Sequence, residues 1–284
     1  MWFKGGLHIH SNAVDGKLSK VELIDLYRKN DFDFISITDH NIFSHSVNKL
    51  MKDFLVIEDS MEFNIQDSIM HMLGVGLDKK ASQHFDAKKC SYQEMLDFFY
   101  NNGALTIICH PNWRWVSSSF KELGIIKNFH GMEICNIVLD DDTGNTFAFD
   151  KWDYLLSCGY KIWGYAVDDY HDPLKDKPGR GFVMAKAENL DRTSILDALK
   201  NGNFYSSTGL ILDELNIEGS SVDIYSKDCK EIVLFGLNGR YLDSFDKNSI
   251  SLKTDRYRGY VRCELRSEKG SAFLQPFFNN EQVP

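Results

Sequence analysis

Proline is scarce in this chain, with 5 among 284 residues, and no internal repeat or low-complexity tract interrupts it. With 43% hydrophobic and 13% aromatic residues, long disorder is not expected and a well-packed core is affordable in length. No apolar run reaches the roughly 18 residues that a membrane-spanning helix needs, so no membrane partner is expected. The start, Met1–Gly6, has no charged stretch followed by an apolar one, and no signal peptide is expected. The six cysteines (Cys90, Cys109, Cys135, Cys158, Cys229, Cys263) include no C-x-x-C pair. Scattered in this way they read as free thiols of a reducing cytoplasm, not as a disulfide framework or a cysteine zinc site. Positive charge is also in short supply: 32 Lys and Arg face 41 Asp and Glu, for a net charge of −9. A general basic surface for nucleic acid is therefore excluded, and any polynucleotide contact must be local. An anionic substrate stays allowed, because bound cations can dominate the field inside a site.

Through about residue 206, short apolar runs alternate with helical patterns. Leu7–His10 reads as a strand end, and the runs Phe34–Thr38, Leu55–Phe63, Ile69–Leu77, Ala104–Cys109, Gly131–Ile137, Ile162–Val167 and Phe204–Ser206 read as strands. Capping boxes at Ser19–Glu22 and Ser91–Glu94 open helices to about Asn30 and Asn101, and Lys151–Cys158 and Asp191–Asn201 are further helices. The alternation predicts a parallel α/β sheet closed or nearly closed into a barrel. After Thr208-Gly209 the pattern changes to short alternating runs: Leu212–Ile217, Ser221–Tyr225, Glu231–Gly236, Ser249–Thr254, Tyr260–Arg266 and Ala272–Phe277. Turn residues such as Asn238-Gly239 and Lys269-Gly270 separate them. The expected division is a barrel over 1–209 and a small antiparallel β domain over 210–284.

What the chain does carry is histidine in particular places. Six of nine (His8, His10, His40, His71, His110, His171) lie at or near strand candidates, five of them at C-terminal ends and His71 near the start of its run. In an α/β barrel the C-terminal ends of parallel strands form one functional face. His8 and His10 are two apart, so on a strand they share a side; Asp169 and His171 have the same relation. Asp15, in Val14-Asp15-Gly16, reads either as a ligand or as a turn aspartate. Asp39 either orients His40 or caps the next segment. Glu62 lies in an apolar run, where a carboxylate must be paired, metal-bound or turned out at the strand end. Glu58 and Asp59 look more like a turn, Asp168 is the alternative to Asp169, and His71 alone reads as a satisfied core histidine. His110 precedes Pro111, which pushes it into an extended conformation. Singly each residue has an ordinary reading; together, at four or more strand ends of one closed architecture, they predict a metal site.

As a set, Leu7-His8-Ile9-His10-Ser11, Asp15-Gly16, Thr38-Asp39-His40-Asn41, Glu62, His71-Met72-Leu73-Gly74, Cys109-His110-Pro111 and Asp169-Tyr170-His171 resemble the polymerase and histidinol phosphatase (PHP) superfamily over residues 1 to about 175. More loosely, Gly179–Phe182 through Phe204–Gly209 and the β tail resemble its carbaryl-hydrolase-like branch. The resemblance implies a distorted (β/α)7 barrel with a trinuclear site of two or three divalent ions, Mn, Fe or Zn. It implies one ion on His8, His10, Glu62 and Asp169, a second on Glu62, His71 and His110, and a third on Asp15, His40 and His171.

The expected activity is hydrolysis of a phosphate mono- or diester. The substrate would be a small phosphorylated metabolite, a nucleotide or an oligonucleotide end. Asp15, Glu62 and Asp169 bring three negative charges against six from three divalent ions, so the site is left about +3 and suits an anion. The expected nucleophile is a deprotonated water bridging the pair at Glu62. With the third ion absent, His40 or His171 is free to protonate the leaving group, and Asp15 beside them completes the candidate catalytic set. Arg114 and Arg180 are candidate phosphate clamps, since a guanidinium binds two oxygens at once; a surface ion pair is the other reading. Trp113 and Trp115 either stack on a base or sugar or pack the barrel rim. Two other readings compete: hydrolysis of a carbon ester, amide or carbamate with the same metal chemistry, and a non-catalytic metal-binding or interaction module. Exact substrate, metal identity and oligomeric state are not legible.

Overall fold

A computed structural model describes residues 1–45, 53–64, 70–82, 90–115, 118–139 and 144–279. In chain order it contains β1 (Trp2–Gly6), α1 (Lys20–Lys29), β2 (Phe34–Ile35), β3 (Leu55–Val56), β4 (Met61–Phe63), β5 (Met72–Val75), α2 (Lys79–Ser82), α3 (Tyr92–Asn101) and β6 (Leu105–Ile108). Then come α4 (Phe120–Leu123), β7 (Gly131–Asn136), α5 (Phe149–Ser157), β8 (Trp163–Val167), β9 (Phe182–Lys186), α6 (Arg192–Lys200) and β10 (Phe204–Ser207). The remainder is all β: β11 (Glu214–Glu218), β12 (Ser221–Tyr225), β13 (Glu231–Gly236), β14 (Arg240–Phe245), β15 (Ser249–Lys253), β16 (Tyr260–Ser267), β17 (Gly270–Leu274) and β18 (Phe277–Phe278).

Helix starts follow their sequence signals. Ser19 and Ser91 cap α1 and α3 with reciprocal bonds to Glu22 and Glu94, and Asp191 caps α6 through Ser194 N. A third such box, Ser119 with Glu122, opens the single turn of α4. Each long helix buries one apolar stripe. Leu23, Ile24 and Tyr27 of α1 pack with Ile9, Ile35 and Tyr170. Met95, Leu96 and Phe99 of α3 and Trp152, Leu155 and Leu156 of α5 share a core with Met61, Met72 and Met132. Ile195, Leu196 and Leu199 of α6 cover Leu73, Ile107 and Val183.

The sheets depart from the expected parallel arrangement. One runs β4-β5-β6-β7-β8, with β6-β7-β8 parallel but β5 antiparallel to both neighbours. The other begins with the parallel trio β1-β2-β3 and continues through antiparallel β9 and β10. The predicted strand Leu55–Phe63 is broken: β3 belongs to one sheet and β4 to the other, separated by a turn at Asp59 with φ +56°. The predicted strand end Leu7–His10 lies just beyond β1, where Ile9 O accepts from Thr38 N at 2.8 Å and an isolated bridge joins Ile9 to Tyr170. Two such bridges, Ile9 to Tyr170 and His40 to Glu62, link the two sheets where the histidines lie. The result is a mixed α/β fold of several sheets with six α-helices among the described residues; a regular alternation of seven strands and seven helices is not seen.

The hydrogen-bonded ladder does not stop at Gly209. β10 pairs with β17, so the sheet that holds β1 runs on through β17, β16, β13 and β14, while β11, β12 and β15 form a separate three-stranded sheet. Val222, Ile224, Ile232, Leu234, Leu252 and Leu265 form a core of their own between these layers. Among the described residues no helix is long and apolar enough to cross a membrane.

Candidate metal centre

The antiparallel course of β5 explains the one misfit among the histidines. Because β5 runs opposite to β6, its first residues lie beside the last residues of β6: His71 O accepts from Cys109 N at 3.0 Å. His71, just before β5, and His110, just after β6, therefore reach the same mouth, and their rings meet edge to face with centroids 4.9 Å apart. Asp15 arrives by a different device. The turn at Asp15-Gly16 folds back on the segment that follows β1, so closely that a Cβ at Gly16 would lie 2.2 Å from His10 O. Only glycine permits that approach.

All nine residues nominated from the sequence meet there. His8 Nε2 lies 3.1 Å from Glu62 Oε2 and 3.3 Å from Asp169 Oδ1, and His10 Nε2 lies 3.3 and 3.2 Å from the same two atoms. Glu62 Oε1 is 2.8 Å from His71 Nδ1 and 3.1 Å from His110 Nε2. His40 Nδ1 is 3.1 Å from Glu62 Oε2. A more open cluster surrounds Asp15, whose Oδ2 is 3.5 Å from both His40 Nε2 and His171 Nε2, with His10 Nδ1 3.5 Å from Oδ1. His8, His10 and Glu62 are at most 1% exposed, whereas the side chains of Asp15, His40 and His171 are 42%, 20% and 29% exposed. The centre is thus deep at Glu62 and open at Asp15.

The donor set fits divalent ions. Two ligands about 2.1 Å from one ion and 90–109° apart are about 3.0–3.4 Å from each other, the spacing seen among His8, His10, Glu62 and Asp169. Distances in that range can also be hydrogen bonds, but His10 Nε2 makes none of acceptable geometry. His10 Nδ1, His40 Nδ1, His110 Nδ1 and Asp169 Oδ1 are likewise buried without a hydrogen-bond partner. Buried polar atoms are ordinarily satisfied, so a concentration of orphans marks lone pairs held ready for a cation.

The electrostatics agree. Burial alone would push the Glu62 carboxyl up, but His8, His10, His110 and His71 hold it well below its usual range. Asp169 is also held down against its burial, by His8, His10 and His171. In return, and despite burial, Asp169 and Glu62 lift the His10 imidazolium to about 9. His8 is raised as well, by Asp169, Glu62 and Glu133 acting against desolvation. The carboxylates call for positive charge, yet His10 and His171 stack with centroids 4.0 Å apart, where two imidazolium ions would repel. Cations held between the rings and the carboxylates meet both conditions.

Other nominated residues fall into place differently. Asp168 turns away from the centre. Its carboxylate accepts from the backbone N–H groups of Gly179, Arg180 and Gly181 and from Tyr27 Oη, and burial lifts it to about 6 against those donors. Asp39 accepts from Ser11 N and Ser11 Oγ at 2.6 and 2.7 Å, tying the end of the His8–His10 segment to the His40 segment. Glu58 and Asp59 stay outside; Asp59 pairs with His45 at 2.8 Å. Trp113 packs edge-on against His110 and His71, with ring centroids 4.9 and 5.8 Å away, while Trp115 is 73% exposed. Arg114 and Arg180 are exposed, on the loops that follow His110 and His171.

Sequence reasoning missed Glu133. It is 1% exposed on β7, accepts from His8 Nδ1 at 2.7 Å and from His110 N at 2.6 Å, and is bonded by Asn136 Nδ2 at 2.9 Å. The signal was available: a carboxylate inside the apolar run Gly131–Ile137 is the same anomaly that singled out Glu62.

No protein-family model matches the chain, and no curated protein is similar to it in sequence. Solved structures are similar in fold. A two-domain protein from Bacteroides vulgatus containing a predicted PHP-like metal-dependent phosphoesterase superposes with a TM-score of 0.53 and 13% identity, over 97% of this chain and 95% of that one. Endonuclease Q in complex with a 27-mer duplex bearing an abasic lesion at the active site superposes with a TM-score of 0.51 and 14% identity, over 71% of this chain and 57% of that one. The chain therefore has the fold of the PHP superfamily. Neither likeness bears on the carbaryl-hydrolase-like branch.

Proposed function

We propose that this chain is a metal-dependent phosphoesterase built on a distorted (β/α)7 PHP barrel. The observation that carries the reading is the set of two imidazole nitrogens and two carboxylate oxygens, from His8, His10, Glu62 and Asp169, at ligand spacing and without a satisfied His10. In this reading those four residues hold one ion. Glu62 shares a second with His71 and His110, and Asp15, His40 and His171 hold a third; Mn, Fe and Zn all suit mixed imidazole and carboxylate ligands. Divalent ions there supply Lewis-acid polarisation of a phosphoryl oxygen and a water acidic enough to lose a proton near neutral pH.

The chain's own residues do the rest. Glu62, held anionic, faces both buried clusters and balances their charge. His40 and His171 stand at the open side with Asp15; with the third ion absent, a leaving oxygen would reach a proton there on either Nε2. Asp168 anchors the backbone of Arg180 beside Asp169, which gives that exposed guanidinium a fixed origin at the rim; Arg114 starts from the turn after His110. Both are proposed phosphate clamps. The substrate is proposed as a small phosphorylated molecule, a nucleotide or a short oligonucleotide, a range that the duplex-bound Endonuclease Q supports at its larger end. The division into a barrel over 1–209 and an accessory β unit over 210–284 is likewise a proposal, supported by the separate core of the latter. A cytoplasmic setting is supported by the free cysteines.

The test is a screen of phosphorylated metabolites with added Mn, Fe or Zn, alongside elemental analysis and a comparison of aryl phosphate mono- and diesters with an aryl carboxylate ester. Stoichiometric metal with phosphoester turnover is expected. Turnover of the carboxylate ester alone would move the assignment to carbon-ester, amide or carbamate chemistry, and absence of bound metal would make the site vestigial.

A further inference from the structure

β7 supplies none of the nine nominated ligands, yet two of its side chains enter the centre. On a regular strand, residues three apart point to opposite faces. Glu133 and Asn136 both point inward because β7 is irregular between them: Glu133 pairs with Tyr165 and Cys135 with Ala166, so Ile134 is bulged out of register. Bulges of this kind re-aim side chains beside functional sites. The two inward groups then grip three ligands. Glu133 accepts from His8 Nδ1 at 2.7 Å, which turns His8 Nε2 toward Glu62 and Asp169. It also accepts from His110 N at 2.6 Å. Asn136 Nδ2 donates to Glu133 Oε2 at 2.9 Å and to Asp169 Oδ2 at 3.0 Å, which leaves Asp169 Oδ1 directed at the two histidines. Two of the gripped ligands are strained: His110, which is not extended as the following Pro111 predicts, and Asp169 have φ of +23° and +52°, where non-glycine residues are rarely found. Such a conformation persists only where its surroundings enforce it.

We propose that Glu133 and Asn136 are positioning residues of the metal centre, a carboxylate–amide pair that fixes the tautomer of His8 and holds His110 and Asp169 in left-handed backbone conformations suited to ligation. The pair contacts ligands, not substrate. The inference rests on the metal-centre reading above and concerns how the centre is preformed.

The test compares wild type with Glu133→Gln, which keeps shape but presents an amide N–H to either His8 Nδ1–H or His110 N–H, and with Asn136→Ala, which removes the bridge to Asp169. Metal affinity is read by chelator competition with Zn and with Mn, and the thermal midpoint of the metal-free protein is measured in parallel. Loss of an outer-shell partner typically weakens metal affinity about 10–100-fold. A loss in that range is expected for Glu133→Gln, and a smaller loss for Asn136→Ala, with each variant folded before metal is added. Unchanged affinity in folded Glu133→Gln would overturn the proposal, as would a lowered thermal midpoint with unchanged affinity, since that is the mark of a purely structural role. If Glu133→Gln does not fold, Asn136→Ala decides in the same way. If that variant fails too, nitrogen NMR of metal-loaded wild type decides: His8 metallated at Nε2 with a hydrogen-bonded Nδ1–H supports the pair, and metallation at Nδ1 overturns it. Wild type that binds neither metal would instead sink the metal-centre reading itself, a result distinct from all of these.

Discussion

Two clusters of buried charge in this molecule look alike in composition and differ in bookkeeping of hydrogen bonds. At the candidate metal centre, carboxylates and imidazoles crowd together with several nitrogens and an Asp169 oxygen left unpartnered. Between α5 and the C-terminal strands, Asp153 and Arg262 are just as deeply buried, each side chain 4% exposed, but nothing is left over. Asp153 Oδ1 accepts from Arg262 Nε at 2.9 Å and from Tyr260 Oη at 2.7 Å, and Oδ2 accepts from Arg262 Nη2 at 2.6 Å. The guanidinium also lies over the rings of Phe235, Phe149 and Trp152, 4.4, 5.0 and 5.5 Å from their centroids. A saturated pair of this kind is a structural joint, here fastening β16 to α5. An unsaturated one marks a place for chemistry, because buried polar atoms are ordinarily partnered and exceptions concentrate at functional sites.

The contrast can be broken most forcefully at the centre. His10→Ala and Glu62→Ala should each reduce turnover by about four orders of magnitude or more, since each removes a ligand facing more than one cluster. Circular dichroism should show the fold retained and elemental analysis a loss of metal. Undiminished turnover in either variant would contradict the assignment. At the joint the signs reverse. Arg262→Ala leaves Asp153 buried with only Tyr260, and breaking a buried pair in this way costs about 3–5 kcal/mol of stability, read by denaturant unfolding. Metal bound per folded molecule should not change. Replacing both partners with apolar groups, Asp153→Leu with Arg262→Met, should recover most of the loss, which no apolar replacement at Glu62 could do for metal binding.

A third effect sharpens the comparison through protons. Without metal the carboxylates raise His10 to about 9, so below that pH an ion must displace a proton to bind. Apparent metal affinity should therefore climb with pH from 6 toward 9, by about tenfold per pH unit for each proton released. Titration calorimetry in buffers of different ionisation enthalpy would count those protons. A flat profile would mean that the imidazoles are already neutral and that the field described here is wrong.

How far the sequence foretells this arrangement depends on how local each cause is. Capping boxes and histidines at strand ends are local patterns, and the side chains nominated from them do converge. Strand direction is not local: nothing in Met72–Val75 says that β5 runs backwards, and the parallel expectation failed there, although His71 at the wrong end of its run was the visible trace. Glu133 was visible as a carboxylate in an apolar run, but its inward aim was not, because that depends on a bulge made by pairing with β8. Asp168 and Asp169 are adjacent acids that only the backbone separates, one turned to the Gly179–Gly181 amides and one to the histidines. The continuation of β10 into β17 joins residues over 60 positions apart, and β14, largely exposed, lacks the apolar alternation by which strands are read.

The smallest effect concerns a histidine outside both clusters. His130 Nδ1 accepts from Thr106 N at 3.1 Å, so that nitrogen must be unprotonated, and the ring stacks on Tyr100 with centroids 4.9 Å apart. Burial, with Lys200 nearby, lowers its pKa to about 4. The sign follows from linkage: the unfolded chain takes up a proton near pH about 6.5, the folded chain only near 4. The contribution of neutral His130 is thus complete above the higher value and fades as pH falls toward the lower. The full shift would be worth about 3 kcal/mol, and partial exposure of the ring reduces it to about 2 kcal/mol. Other groups titrate in the same window, with Glu62 and Asp169 losing and His8 and His10 gaining stability on acidification, so the measurement is a difference. His130→Asn keeps an acceptor for Thr106 N and cannot titrate. The stability of wild type relative to His130→Asn should fall by about 2 kcal/mol between pH 7 and pH 4, and a difference that stays constant would show that His130 protonates without leaving its bond to Thr106.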